Sequence, residues 1–566
     1  MRVADAADRL GLGAAVGHLA DRVRRVLDPD HRRRHRQILA DHRACRAVLA
    51  RIADRAPAGD PARVALFVAS FATPFGWKLE GALSLAARIA GFEPTMLELG
   101  EDPWARRYHA LFARPRSLAW RTWRRRRDAP PVEPAFRDFV HGSPTVSGLL
   151  RLTYRGVDVG RIALSNWLNV HKFTRLDLGD AATRDELLAL LARSQHEVAG
   201  AESMLEAVRP AVLLVLEKGL SPAAEVVGAA LARGIPVVQY AGSQQTGAYV
   251  LKRYAQENRH QHPFSLSPES WARAQAAPWD AHREDELMEE FAESYRAGTW
   301  FNRKFLHQGK RIKAADEVRA QLGLDPGKKT AVVFSHVLWD ATFFYGEGLF
   351  EDYETWLLET VRAAASNPRL NWVVKLHPDL VWKLKYEGRT GDLRDVIAMK
   401  SATGGALPPH VTLVMPETDI STYSFFPVTD YCLTVRGTIG IEMACHGVPV
   451  FTAGTGRYSG LGFTRDSASP ADYRARLARL ETESPMDVAE VARARRFAHT
   501  LFRRRLWVMR TFDMVKKPMG ETGHALDTDL VPRVATFDEF ARAEDTRELA
   551  RWLASAETDY LQAQPL

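Results

Sequence analysis

The chain is 566 residues long, with 46% hydrophobic residues, 26% charged residues and a formal net charge of +8. That length is more than one core supports and fits two α/β domains with extensions, and the apolar fraction excludes wholesale disorder. The positive balance fits acidic partners: nucleotide phosphates, anionic lipid headgroups or nucleic acid.

Three cysteines (Cys45, Cys432, Cys445) make neither a disulfide framework nor a CxxC metal pattern, so a reducing cytosol is the expected compartment. The charged N-terminus does not read as a signal peptide, and no apolar run approaches the roughly 17–25 residues of a membrane span. A cytoplasmic protein is expected, soluble or peripheral at the inner membrane.

Residues 1–60 read as an arginine-rich helical extension whose run His31-Arg-Arg-Arg-His35-Arg36 is a solvated face, or alternatively a membrane-surface one. Residues 63–69 form the first buried strand. The loop Ser70–Trp77, a helix to about Ala90 and a strand over 93–99 follow. This is how a nucleotide-binding-type domain opens, but the loop lacks GxGxxG, which argues against a dinucleotide enzyme. Trp104, Trp120, Trp123 and the run Arg124–Arg127 interleave aromatics with cations. Single-stranded nucleic acid or a headgroup layer would suit that mix, but an amphipathic surface helix is the commoner cause, and no nucleic-acid partner is expected.

A helix over 183–208, a strand over 211–216, a helix over 222–233 and a strand over 235–240 continue the first domain. Glu217, Lys218, Gln239 and Ser243 fall at strand ends and are candidates to face a cleft, with sheet-edge hydrogen bonding the plainer role. Around Lys252-Arg-Tyr254 and His260–Phe264 the pattern loses its period, and helices near 280–322 lead to a second domain. There the strands 330–335, 371–375, 411–414, 430–434 and 448–452 alternate with helices, which argues a doubly wound parallel sheet. Met486–Asp513 reads as one long helix that packs back on the first domain or lays a basic face on an anionic membrane. The expected organisation is a helical extension (1–60), an N-terminal Rossmann-like domain on the acceptor side (61–310), a C-terminal Rossmann-like domain on the donor side (311–482) and a helical tail (483–566).

Two pieces of the second domain carry chemistry. Lys375-Leu-His377-Pro378 follows a buried strand, so His377 stands at the carboxyl end, where open α/β sheets place ligands. In Thr434-Val-Arg436-Gly437-Thr438 a strand turns into a helix that Gly447 terminates and Pro449 keeps from resuming. The first turn of that helix, with the Thr438 hydroxyl beside it, is a phosphate-sized anion site. One turn further, Glu442 is placed to accept hydrogen bonds from sugar hydroxyls.

These pieces, with Gly454–Thr464, the loop His336–Asp340, Tyr353–Trp356, Lys252-Arg-Tyr254 and His262–Ser265, resemble the bacterial capsular and surface polysaccharide biosynthesis proteins. That group includes the Kdo transferases of capsule assembly and, more distantly, the CDP-glycerol glycerophosphotransferases. The resemblance spans roughly residues 150–480. It implies a GT-B glycosyltransferase with two Rossmann-like domains facing a cleft, moving a sugar from a nucleotide-activated donor to a growing surface polysaccharide or glycolipid acceptor. It further implies that His377 and Pro378 meet the donor phosphate, that Gly437 and Thr438 form the anion-binding helix start, and that Glu442 is the ribose carboxylate. Where capsular Kdo transferases tend to show Asn-Ser-Thr, this chain has Arg436-Gly437-Thr438, which puts a CMP-Kdo donor in doubt.

Beside the resemblance, transfer from a nucleotide sugar develops charge on the departing phosphate, and Lys375, His377, Arg436 and the Thr438 helix start are the fixed groups placed to neutralise it. Asp340, His336 and Glu217 are the candidate catalytic bases. Asp340 is equally suited to capping its loop, and His336 to bonding backbone carbonyls. The DxD triplet Asp527-Thr-Asp529 reads as a surface loop, and no metal or cofactor beyond the nucleotide-sugar co-substrate is expected. A nucleotide-sugar epimerase of the same fold and a non-catalytic glycan-binding or export-associated protein are the alternatives.

Overall fold

The computed structural model describes residues 28–100, 102–125, 129–172, 175–300, 307, 309–380, 393–516 and 528–562. The first 27 residues of the N-terminal extension, Arg126, Arg127 and Asp527 lie outside the described residues. In chain order the strands are β1 (Asp60–Ala69), β2 (Phe92–Glu98), β3 (Arg116–Ala119), β4 (Val212–Val215), β5 (Val237–Gly242), β6 (Ala248–Tyr254), β7 (Thr330–Phe334), β8 (Asn371–Lys375), β9 (Val411–Val414), β10 (Tyr431–Thr434), β11 (Val450–Thr452), β12 (Arg465–Asp466), β13 (Leu506–Val508), β14 (Phe512–Lys516) and β15 (Thr528–Pro532). The chain forms two compact units, one of residues 1–120 with 509–555 and one of residues 121–508 with 556–566.

The smaller unit carries β1, β2 and β3 side by side in parallel, with β14 and β15 as an antiparallel pair. Its helix Pro74–Ile89 starts where the Thr73 hydroxyl accepts the Gly76 N–H and proline fills the first turn. Two charges on this helix are buried with partners. Lys78 Nζ donates to Asp41 (2.8 Å) and to Asp529 (2.5 Å), and Glu80 faces His109 at 3.0 Å and accepts the Ser70 N–H at the end of β1. The chain's own carboxylate thus occupies the amides where a nucleotide phosphate would sit in a dinucleotide fold. Asp529 corrects the surface-loop reading of its triplet: it lies in β15 and is buried, because the Lys78 ammonium needs a counter-charge.

The larger unit holds two sheets. In one, β4 and β5 are parallel, β6 runs antiparallel to β5, and β13 runs antiparallel to β6. The other has the order β12-β11-β10-β7-β8-β9, parallel throughout. Helices Tyr353–Ala365, Arg394–Ala402 and Thr438–Cys445 fall between its strands. Every residue of β7, β8 and β10 is buried, as in a sheet covered on both faces. Val332 and Phe334 enter one core and Ala331 and Val333 the other, the period of two expected of a strand.

Three sequence readings differ from the structure. The stretch read as losing its period contains β6, which is buried at every residue but Arg253, paired with β5 over 249–254 and with β13 over 248–250, and so shows no polar alternation. The helix expected over 486–513 ends after Val488–His499 and the π-turn Thr500–Arg504, and β13 follows, so the tail is not all helical. Its arginines are drawn inward: Arg495 pairs with Glu284, Arg503 with Glu286 and Glu290, and Arg496 donates to the Ala277 carbonyl. Finally, Trp120 and Trp123 are buried rather than displayed. Among the described residues no helix is long and apolar enough to cross a membrane.

At the end of the larger unit Asp559 is fully enclosed. It accepts from Lys252 Nζ (2.9 Å) and the Ser267 N–H (2.7 Å) and lies 3.1 Å from Arg505. Arg505 also donates to the Pro263, Ser265 and Leu251 carbonyls. The segment around Asp559 is thereby tied to β6 and to the turn before β13.

Candidate functional site

A cleft of about 620 Å³ lies within the larger unit, lined by the ends of β4 and β5 on one side and by β7, β8, β10 and the helix Thr438–Cys445 on the other. Lys375, His377, Pro378, Thr434, Arg436, Gly437, Thr438, Glu442, His336, Asp340 and Glu217 all line it, as does Gln239. Lys218 and Ser243 are not in its wall. Lys218 Nζ instead donates to the Arg259 carbonyl, and the Ser243 hydroxyl accepts the Gln245 N–H within the β5–β6 turn.

Lys375 is the last residue of β8, and its side chain is 4% exposed. Among the described residues its ammonium meets no carboxylate or hydrogen-bond acceptor, only the Phe425 ring at 5.8 Å. Burial, with Lys310 nearby, pushes its pKa down to about 7. Arg436 is 5% exposed, and none of its three guanidinium nitrogens has a hydrogen-bond partner. Interiors seldom leave such donors unmatched, so two bare cations in one cleft mark a place prepared for an anion.

The helix Thr438–Cys445 begins at Gly437 without a side-chain cap, so its first-turn N–H groups add to the positive field. The Thr434 hydroxyl accepts the Gly437 N–H (3.2 Å) and contacts His336 Nε2 at 3.1 Å, which makes Thr434 a brace for the turn. His377 is set by its own loop: its N–H donates to the Ser335 hydroxyl at 2.9 Å, and its Nδ1 accepts the Asp379 N–H at 3.2 Å. In the neutral ring the proton then sits on Nε2.

His336 Nε2 accepts the Val435 N–H at 3.2 Å, and burial beside Arg436 and Arg457 lowers its pKa to about 3. Its basic nitrogen is already committed, so the ring stays neutral and is not poised to take a proton. Glu217, at the end of β4, accepts the Gly219 N–H at 2.9 Å. Burial raises its pKa, and the neighbouring Asp340 adds to the shift. Asp340 is exposed at the cleft mouth.

Glu442 is 1% exposed and accepts from Tyr295 Oη (2.6 Å) and Trp300 Nε1 (3.3 Å). Burial raises its pKa to about 7, from 4.5. A carboxyl whose pKa is raised on folding lends stability that is full below about 4.5 and lost as pH rises through about 7. Glu442→Gln is therefore expected to flatten the fall in melting temperature across that window, and an unchanged slope in melts from pH 4.5 to 7.5 would count against it.

The sequence pattern assigns no role to several lining residues. Tyr295, Trp300 and His307 form an aromatic wall beside Glu442, with Tyr295 stacked on Tyr423 at 5.3 Å. Arg457 donates to His262 Nε2 and His262 N–H donates to the Gly456 carbonyl, joining the loop after β6 to the loop after β11. Arg457 stands twenty-three residues after Thr434, in a glycine-rich loop that no periodicity marks.

Residues 270–505 match the family model described as capsule polysaccharide biosynthesis protein, so the second sheet and the helices flanking it carry that family's pattern. A search of curated protein sequences finds no match. Similar solved structures include the Thermosulfurimonas dismutans KpsC beta Kdo 2,7 transferase, at 14% identity and a TM-score of 0.29 over 49% of this chain and 79% of that one. The UDP-GlcNAc 2-epimerase from Neisseria meningitidis matches at 12% identity and 0.25 over 56% and 85%. The spinosyn rhamnosyltransferase SpnG matches at 13% and 0.24 over 78% and 96%. The fold class is α/β: helices alternate with the strands of an all-parallel sheet, and the first sheet of the larger unit has parallel strands with an antiparallel edge.

Proposed function

From the capsule polysaccharide biosynthesis pattern over residues 270–505 and the bare cations of the cleft, we propose that the protein is a glycosyltransferase. It moves a sugar from a nucleotide-activated donor to a surface polysaccharide or lipid-linked glycan, working in the cytoplasm or at the inner membrane face. The observation that carries this reading is the buried, unpartnered guanidinium of Arg436, in one cleft wall with the buried Lys375 and the uncapped start of the helix Thr438–Cys445.

In the reaction the bond between the anomeric carbon and the donor phosphate oxygen breaks, and its electron pair leaves with the phosphate. Lys375, the Nε2–H of His377 and the helix N–H groups stabilise that developing negative charge. An acceptor hydroxyl forms the new bond and gives up its proton. Glu217 is the better-suited acceptor of that proton, because burial moves its carboxyl toward neutrality, and Asp340 at the mouth assists it. The Tyr295–Trp300–His307 wall offers the nucleobase an aromatic surface, and Glu442, whose two oxygens accept from Tyr295 and Trp300, braces that wall.

Calorimetry with CMP, CDP, UDP and GDP tests the donor site. Selective binding of one nucleotide is expected, weakened about 10- to 100-fold in His377→Ala, since a hydrogen bond to a charged group contributes about 1.5–3 kcal/mol. No binding to any of the four would overturn the reading. Turnover of a nucleotide sugar into an epimer with no glycan present would favour an isomerase instead.

A further inference from the structure

A second cavity, of about 720 Å³, lies in the larger unit on the other side of the segment 341–350, and its wall shares Tyr353 and Arg436 with the cleft. Its volume falls in the range of small-ligand sites. The guanidinium of Arg436 lies against Gly346 of this second wall and against Gly454 behind it. A Cβ added at Gly346 would come within 2.8 Å of one terminal nitrogen, and one added at Gly454 within 2.9 Å of the other. Gly346 also has φ +69° and backbone contact with the Thr455 carbonyl that leaves no room for a side chain. The slot therefore holds a planar cation between glycine backbone and the Tyr353 ring, at 5.9 Å from its centroid, while none of its nitrogens is hydrogen-bonded.

The acids around this cavity are committed elsewhere. Asp158 pairs with Arg259 and His260, Glu347 pairs with Arg161, and Asp352 caps the Thr355 N–H. Arg161 is itself spent on the Phe343 and Gly346 carbonyls and on Glu347, with only its buried Nε unmatched. Among the buried charges of this wall, Arg436 is the one whose nitrogens all lack a hydrogen-bond partner. A desolvated guanidinium without a partner selects a carboxylate or phosphate oxygen pair. Glu347, 60% exposed, and Glu351 stand in the same wall and disfavour a polyphosphate. A single anionic group on a hydroxyl-rich molecule meets both conditions.

We propose that this second cavity is the acceptor site, and that it takes a glycan bearing one carboxylate or phosphate, held by Arg436. The assignment rests on the transferase reading, and Arg436 acts in it as a specificity-determining residue that tells charged acceptors from neutral ones. Because Arg436 stands in both walls, an acceptor bound to it is delivered beside the donor cleft.

The test titrates the purified full chain with a trisaccharide ending in one galacturonate, a glucose trimer bearing one phosphate and maltotriose at one ionic strength, with the four nucleotides run on the same samples. One acidic probe is expected to bind at least tenfold more tightly than maltotriose. Preference for the galacturonate identifies a sugar acid as the source, and preference for the phosphorylated trimer a phosphorylated chain. Arg436→Met should remove the preference at least tenfold without lowering the melting temperature, since no hydrogen bond is lost and the methionine keeps the contact with the Tyr353 ring. A purely structural Arg436 would instead lower the melting temperature and leave the preference intact. Arg436→Lys, which keeps the charge but not the fork, should retain part of the preference. Equal binding of maltotriose, or no binding of any glycan while a nucleotide binds, overturns this inference alone; absence of both kinds of binding removes the transferase reading as well.

Discussion

Lys375→Met is expected to weaken nucleotide binding by about 10- to 100-fold while making the protein more stable at and below neutral pH. The two effects have one origin. The Lys375 ammonium is almost wholly buried and meets no acceptor among the described residues, so its charge is held against the preference of the surroundings, and its pKa falls from 10.5 to about 7. Between those values the unfolded chain binds more protons than the folded one. Stability therefore rises with pH through that window, is complete above about 10.5 and is lost as pH falls through about 7. A methionine of similar shape removes the buried charge, a change on the order of 1–4 kcal/mol by analogy with buried ion pairs replaced by apolar residues. Melts at pH 6 and pH 9 measure it: the variant should gain most at pH 6. A bound phosphate, by contrast, would restore the lysine's proton. Nucleotide titrations near pH 8 in two buffers of different ionisation enthalpy should therefore show proton uptake in the parent protein and little in Lys375→Met. A parent protein whose binding takes up no proton would show that Lys375 does not face the phosphate.

Asp559→Ala is expected to destabilise the larger unit by about 3–5 kcal/mol, the range for removing one partner of a buried pair. Here one carboxylate serves two enclosed cations. Lys252 has only the Ser265 carbonyl at 3.5 Å besides Asp559, so it would be left nearly bare, while Arg505 keeps its carbonyl partners. Lys252→Met in the Asp559→Ala background should therefore recover much of the loss, and a double-mutant cycle by urea unfolding measures the coupling. If Asp559→Ala unfolded at the parent's midpoint, the carboxylate would not be holding its segment to β6. The acid side gives a second readout. Asp559 sits at a pKa of about 2, lowered by Arg505 and Lys252 against the effect of burial, so its stabilisation is present above about 3.8 and is lost as pH falls through about 2.

Much of the second sheet was legible in the sequence because its strands are short, apolar and punctuated. Thr330–Phe334, Asn371–Lys375 and Tyr431–Thr434 are buried on both faces, and each ends in a polar loop with glycine, proline or histidine. The Gly437 helix start and its stop at Gly447 were readable for the same reason, since capping chemistry is local. β6 was not readable, because Lys252 and Arg253 in it suggest a loop until Asp559, over three hundred residues away, supplies the counter-charge. The tail helix was overextended because the arginine run 503–505 continues the helical pattern. Only the packing of Arg505 against the Leu251, Pro263 and Ser265 carbonyls turns the chain into β13.

The sequence by itself determined which residues end strands and begin helices, and hence that Lys375, His377, Gly437 and Thr438 stand at the carboxyl edge of one parallel sheet. Strand direction and helix capping depend on neighbours a few positions away, so they survive in a linear reading. The tertiary structure alone decided which charges are left without partners. Lys78 and Lys375 look alike in the sequence, yet Asp41 and Asp529 neutralise the first while nothing among the described residues neutralises the second. Arg505 and Arg436 differ in the same way, one surrounded by carbonyls and the other by glycines. Whether a buried cation is structural or kept for a ligand depends on the groups that folding brings within about 3 Å of it, and those come from segments far apart in the chain.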